Sequence, residues 1–312
     1  MRTIVALAAT GMLVLMVCAG PVRADTSADA LATLQAAQAA HARHDYVTAL
    51  TLLRPLAEQG NPNAQDALGS MYGNGQGVPR DYVEALRWYR KAAAQGNADA
   101  QGRVGVSHLL GQGVPKDDAE AVRWFRKAAE QGDANAQNLL GSMYENGRGV
   151  SKNLAEAARW ERKAAEQGNA GAQVALGGMY TKGQGVPKDD AEAVRWFRKA
   201  AEQGDDKAQA NLGVMYESGQ GVSKNLAEAA RWYRKAAEQG DANAQLLLGL
   251  MCEHGRGVPK DYVQAYMWFN LAGVANNGAA QVRDSLEHLM TAEQIAEGQR
   301  RAAAWQRAHH VR

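Results

Sequence analysis

Cysteine is nearly absent. The 312 residues include two, and Cys18 falls in a segment read below as a cleavable leader. Cys252 is then the single thiol, so no intramolecular disulfide can staple the fold. Proline is also scarce, at seven residues, and phenylalanine is scarcer still, at three. A chain short of these and rich in Ala and Gly suits close-packed helices better than a sheet built from β-branched residues. An excess of one charge is missing too. Once Arg2 and Arg23 leave with the leader, 33 Lys and Arg face 33 Asp and Glu. A neutral chain has no global attraction to nucleic acid or to an anionic membrane.

The first residues read as a targeting segment. Met1-Arg2 gives a short positive start, Ile4 to Ala19 is apolar or small without charge, and Val22-Arg23-Ala24 has small or medium residues where a signal peptidase reads. These features predict a secretory signal peptide over 1–24, cleaved after Ala24, with export to the periplasm or beyond it. The apolar run is short for a spanning helix and stops at Gly20-Pro21, so no stable membrane insertion is expected after cleavage. Lipoprotein processing needs a small residue before Cys18, and Val17 sits there.

What the chain does have is a period. Trp88, Trp124, Trp160, Trp196, Trp232 and Trp268 stand 36 residues apart, as do Gly69, Gly105, Gly141, Gly177, Gly213 and Gly249. A Gly-x-Gly-Val turn beginning at Gly75 recurs at the same step through Gly255. Within one unit, Ala64, Leu68, Met71 and Tyr72 share a helical face, and Ala85, Trp88, Tyr89 and Ala92 share another. Gly69 in mid-helix costs about 1 kcal/mol relative to Ala, which predicts that the partner helix packs directly on its backbone. The glycine turn ends the first helix, and Asp81 caps the second, with Glu84 at capping-box spacing. Each unit is a helix–turn–helix that cannot bury its own core, so neighbours must stack into a solenoid.

Four segments follow: the leader 1–24, an N-terminal capping hairpin 25–62, six repeats over 63–277, and C-terminal capping helices with a tail over 278–312. Leu52 takes the Trp place in the N-terminal hairpin, and Thr291 starts the last helix with Gln294 at capping-box spacing. Capped ends suggest a monomer.

The residues Ala67-Leu68-Gly69-x-Met71-Tyr72, Gly75-x-Gly77-Val78, Asp81-Tyr82-x-Glu84-Ala85, Trp88 and Lys91-Ala92-Ala93-x-Gln95-Gly96 resemble the Sel-1-like repeat family, relatives of the tetratricopeptide repeats. The likeness covers about residues 45 to 277, and Ala265 to Ala272 looks like the last repeat of bacterial members. It implies an all-α, right-handed α/α superhelical solenoid serving as scaffold or adaptor for a protein or peptide partner in envelope assembly, host contact or signalling. Some cysteine-rich secreted relatives are linked to penicillin binding; this chain lacks their paired cysteines.

In such hairpins the first helix lines the concave side. Three of its rows, those of residues 66, 70 and 73, differ from unit to unit while their neighbours stay constant. They yield the candidate binding surface: Asp66, Ser70, Val106, Leu109, Asn138, Ser142, Glu145, Val174, Thr181, Val214, Glu217, Leu246, Leu250 and Glu253, with the small residues Gly73, Gly102, Gly178 and Ala210 completing the rows. Such a variable face meets either a ligand or water. The apolar members Val106, Leu109, Val174, Val214, Leu246 and Leu250, expected to be exposed, favour a ligand.

Other signals resolve to structure. Gly73-Asn74-Gly75-Gln76-Gly77 lacks the Lys-Ser/Thr ending and preceding strand of a phosphate loop. Cys252, in the Tyr72 row, reads as a packing thiol rather than a metal ligand beside Glu253 and His254, and His108 shares that row. His41, His44, His309 and His310 read as surface or tail residues. Asp117-Asp118 and Asp189-Asp190 suit helix starts. None of the eight serines has Lys three positions on, as a penicillin-binding acylation site requires. Arg283, Arg300, Arg301 and Arg307 read as a solvated basic face. No cofactor or metal is implied. Catalysis on β-lactams or peptidoglycan, and a purely structural spacer, are the alternatives to a binding scaffold.

Overall fold

The computed structural model describes residues 26–274 and 277–309. The leader expected over 1–24, with Cys18, and the tail residue His310 lie outside the described residues. Among those described there are sixteen α-helices and no strand. The chain divides into two compact units: residues up to 107 together with 111–115, and residues 108–110 together with those from 116 onward.

The first unit contains α1 (Thr26–Ala42), α2 (Tyr46–Glu58), α3 (Pro62–Asn74), α4 (Tyr82–Ala94) and most of α5 (Ala98–Leu110). Helices α1 and α2 pair, α2 packs on α3, and α3 pairs with α4. Leu50, Leu53, Leu68, Met71 and Trp88 form its core with small residues such as Ala40 and Ala64, and Leu52 packs at the edge in the place of the repeat tryptophan.

The second unit runs from α6 (Asp118–Glu130) through α7 (Ala134–Asn146), α8 (Leu154–Glu166), α9 (Ala170–Lys182), α10 (Asp190–Glu202), α11 (Asp206–Ser218), α12 (Leu226–Glu238), α13 (Ala242–His254) and α14 (Tyr262–Ala272). It closes with α15 (Asn277–Glu287) and α16 (Ala292–His309). Within this unit each helix from α6 to α13 packs on the next, so its hairpins lean on one another. Helices α15 and α16 both pack on α14, and Leu286 and Ala302 enter the core there with Phe269 and Leu248.

Helix starts follow the expected chemistry. Asp81 Oδ1 accepts from the amides of Val83 and Glu84, at 2.9 and 3.0 Å. Asp117 and Asp189 do the same at their helices. The reciprocal half of the capping box at Glu84 does not form. The Asp81 amide donates to Tyr72 O, and Glu84 Oε1 instead accepts from Arg87 and from Trp88 Nε1. The indole N–H, needing a partner when the ring is buried, takes the carboxylate. At α16 the box does close: Thr291 N donates to Gln294 Oε1 and Gln294 N to Thr291 Oγ1.

Two constraints explain the constancy of the repeat. The second glycine of each turn sits on the start of an earlier second helix. A Cβ on Gly185, at φ 72°, would lie 2.0 Å from Leu154 O, and one on Gly221 would lie 2.0 Å from Asp190 O. Below this contact runs a buried glutamine ladder. Gln173 Nε2 donates to Ala165 O at 3.1 Å while its Oε1 accepts from Gln203 Nε2 at 2.8 Å. Gln137 and Gln209 repeat the pattern in the second unit, and Gln65 in the first. These amides give a second donor to carbonyls at the ends of second helices, which also accept from the amide of the following turn glycine, as Ala165 O does from Gly168 N at 3.0 Å.

Gln173→Ala should remove the buried bond to Ala165 O and the link to Gln203, lowering stability by about 1 kcal/mol. Gly185→Ala combines a positive φ with a backbone clash and should cost at least as much. Urea denaturation followed by circular dichroism checks both; an unchanged midpoint in either variant contradicts the packing described.

Candidate functional site

The first-helix rows behave differently in the two units. In the first unit Asp66 and Ser70 stand near the Tyr89 ring, whose hydroxyl lies 3.4 Å from Ser70 Oγ. Arg103 Nε lies 2.9 Å from Asp66 Oδ1, and the guanidinium covers the Tyr89 ring at 5.7 Å. Burial pushes the Asp66 carboxyl above its usual range, opposed by the Arg103 charge and reinforced by Asp99. Val106, Arg103 and Tyr89 share a hollow of about 240 Å³ with Gly73 and Gln112. Every charge here has a counterpart.

In the second unit Glu145, Val174, Gly178, Thr181 and Val214 line one open groove of about 440 Å³, with Gln184, Phe197, Asn211 and Gln220 completing its wall. Val214 is exposed at 42%, and Thr181 turns its hydroxyl to Gly178 O at 2.8 Å. Ser142 and Asn138 stand one turn and two turns before Glu145 on α7, and both are half-buried. Leu109 is half-buried as well. Leu246 and Leu250 pack against the C-terminal core. Of the six apolar residues expected to be exposed, only Val214 is, because first-helix neighbours and the C-terminal helices cover part of the others. A larger hollow of about 970 Å³ lies between α16 and the ends of α10 to α13, lined by Trp305, Gln209 and Gln239. Its repeat-derived walls include the ladder glutamines, the same in every unit, so it carries none of the variation that marks the groove.

Glu217 and Glu253 extend the acidic row. Glu217 is fully satisfied: Tyr233 Oη donates to Oε2 at 2.8 Å, and Arg256 donates to Oε1 at 2.9 Å. Glu253 lies 3.8 Å from His254 Nδ1. Glu145 makes no ion pair with any described residue, and the group beside it is another acid. Glu161 occupies the row of Tyr89, Phe125, Phe197, Tyr233 and Phe269, and the rings of Tyr89, Phe197, Tyr233 and Phe269 lie on first-helix glycines. It is 1% exposed and its Oε2 has no hydrogen-bond partner. A Cβ on Gly141 would lie 2.8 Å from its carboxyl carbon, so the carboxyl rests where the other units rest a ring. Burial, then the nearby Glu145 charge, pushes the Glu161 carboxyl up to about 9.

Sequence reasoning missed Glu161 because the second helix was treated as constant; aligning the units shows an acid where five others carry a ring. It also missed the glutamine ladder, a polar row inside an otherwise apolar face. Cys252 and the remaining histidines can now be placed. Cys252 is fully buried, with its thiol 3.6 Å from Gln264 Oε1 and its pKa pushed up by burial to about 11. His108 is buried, and His41 and His44 are exposed. His309 is not frayed: it lies within α16 and stacks on Trp305 at 4.0 Å. Arg283 pairs with Asp284, and Arg300 and Arg301 both pair with Glu297, so most of the basic patch is neutralised locally. Among the described residues no cluster of three or more His, Cys, Asp or Glu is placed to hold a metal, and no helix is long and apolar enough to cross a membrane.

An all-α solenoid of 36-residue hairpins with a variable first-helix face defines a repeat-scaffold class. The Sel1 repeat model matches residues 62–97, 98–133, 134–169, 170–205, 206–241 and 242–273. The chain belongs to the Sel1 repeat family, whose members generally mediate protein–protein interaction. A solved Sel1 repeat protein from Oxalobacter formigenes is 35% identical, covering 77% of this chain and 96% of its own, with a TM-score of 0.70. A protective antigen of uropathogenic Escherichia coli with the same repeat fold, c5321, is 32% identical over 89% of this chain and 76% of its own, with a TM-score of 0.40. The Helicobacter pylori cysteine-rich protein B is 29% identical over 41% of this chain and 92% of its own, with a TM-score of 0.35. No curated protein matches.

Glu161 makes a pH-dependent contribution whose sign is set by burial. Between its ordinary value of 4.5 and about 9, the unfolded carboxyl is ionised while the buried one keeps its proton. Stability therefore falls as pH rises through that window, on the order of 1.4 kcal/mol per pH unit from this group. Glu161→Phe, copying Phe125 and Phe197, should raise the urea midpoint at pH 8 more than at pH 5. A wild type and variant that differ equally at both pH values would refute a buried protonated carboxyl.

Proposed function

We propose that this chain is an exported Sel1-repeat scaffold that holds an extended protein or peptide segment against its first-helix faces, in envelope assembly, host contact or signalling. One observation carries the reading. Five of the positions that vary between otherwise near-identical repeats, Glu145, Val174, Gly178, Thr181 and Val214, line one open groove in the second unit. Packing constrains the repeat elsewhere; a row released from packing and gathered around a groove is where a binding requirement would leave its mark. The groove mixes apolar side chains with few polar ones, which suits a segment read by alternate side chains rather than a small reactive substrate. Export rests on the charge and hydropathy pattern of residues 1–24, and it places the partner in the periplasm or outside the cell.

The test introduces bulk and charge where the groove is open. Val214→Glu combined with Thr181→Arg leaves the core untouched and should keep the helical circular dichroism signal. In a crosslinking pull-down from native envelope, the double variant should recover a discrete wild-type partner at least about tenfold less well, matching the loss of a central hot spot. Equal recovery by a well-folded variant rejects the groove.

A further inference from the structure

The chain contains its own template for what the groove lacks. In the hairpin of α11 and α12, the Glu217 carboxylate receives a hydroxyl from Tyr233 and a guanidinium from Arg256. Seventy-two residues earlier, two repeats back, the corresponding three are Glu145, Glu161 and Gln184. The hydroxyl donor has become a second acid and the cation has become a neutral amide. Glu145 and Gln184 both line the groove. Glu161 lies behind Glu145, 1% exposed, with Oε2 unpartnered. Lys182 also lines the groove but makes no ion pair with Glu145.

A buried carboxyl with an unpartnered oxygen, beside a second acid that makes no ion pair, destabilises the free protein. Such an arrangement is compensated when an external cation completes it. The missing donor set matches one group: a planar guanidinium, whose fork of N–H groups satisfies carboxyl oxygens at fixed geometry. We propose that the groove of the second unit takes an arginine side chain of the bound segment, seated on Glu145 in the place that Arg256 fills beside Glu217, with Glu161 as the buried carboxyl beneath it. The valines and Thr181 then contact the residues flanking that arginine. This inference rests on the groove reading above and names the chemistry of its guest.

A fluorescein-labelled capped pentapeptide, Ala-Val-Arg-Val-Ala, is titrated into the full chain by fluorescence anisotropy beside the same peptide with citrulline for arginine. Citrulline keeps the shape and removes the charge. The arginine peptide should bind at least about tenfold more tightly, the size of one charge-assisted contact. Gln184→Arg, which supplies the cation from within, should erase that preference, and so should Glu145→Gln. Glu161→Gln should reduce it, because a guanidinium beside Glu161 favours the ionised acid that Gln cannot form, while raising thermal stability at pH 8, which excludes misfolding as the cause. Equal binding of the two peptides, no binding of either, or an undiminished preference in Gln184→Arg overturns the proposal. So does a shift of the melting temperature by millimolar CaCl2 that Glu145→Gln abolishes, since the site would then hold a divalent cation. The groove itself is judged separately: if Val214→Glu/Thr181→Arg loses the envelope partner while the peptides fail, only the arginine is rejected.

Discussion

The repeat depends on how closely the second helix approaches the first. A glycine in mid-helix weakens that helix on its own, yet one recurs at the same place, and at Gly69, Gly141, Gly177, Gly213 and Gly249 a side chain from the partner helix lies on it. A Cβ at Gly213 would meet the Tyr233 ring at 2.5 Å, and one at Gly177 would meet the Phe197 ring at 2.7 Å. The local loss is offset by burying a whole ring between two backbones. From that contact follow the spacing of the hairpin, the position of the tryptophan behind it, and the direction in which the first-helix rows face. The turn glycines and the glutamine ladder then lock one hairpin to the next.

This constraint explains which parts of the structure are legible in the sequence. The 36-residue register, the helix ends at Gly75 and Asp81 and the buried thiol of Cys252 can all be read because each repeats or departs from a repeat in an obvious residue type. The closing helix beginning after Thr291 is legible for a local reason, its capping pair. The glutamine ladder is not, because hydropathy marks Gln173 as polar while its amide is needed inside to serve Ala165 O. The role of Glu84 is not, because capping-box spacing cannot reveal that the Trp88 indole competes for the same carboxylate.

The variable face is legible as a set of positions but not as a surface. Sequence rows identify Leu246 and Leu250 as variable, yet the C-terminal core takes them up, since the last repeat must be covered by something. Val214, with the same kind of side chain, stays exposed because ordinary repeats surround it. Variation alone does not separate residues altered to fit a cap from residues altered to fit a guest.

Glu161 draws these threads together. It stands at the one contact on which every hairpin relies, and it is the single acid in a row of rings. A change tolerated for no reason would be expected at an exposed position such as Lys182, where little depends on it. At the ring position it removes apolar burial, strands a carboxyl oxygen and sets two acids side by side, each of which lowers stability. The neighbouring repeats show that the same backbone accepts Phe or Tyr there. Strain kept at a site that the fold could relieve by one substitution is characteristic of function rather than architecture. The groove beside it is open, so a requirement for charge from outside accounts for both.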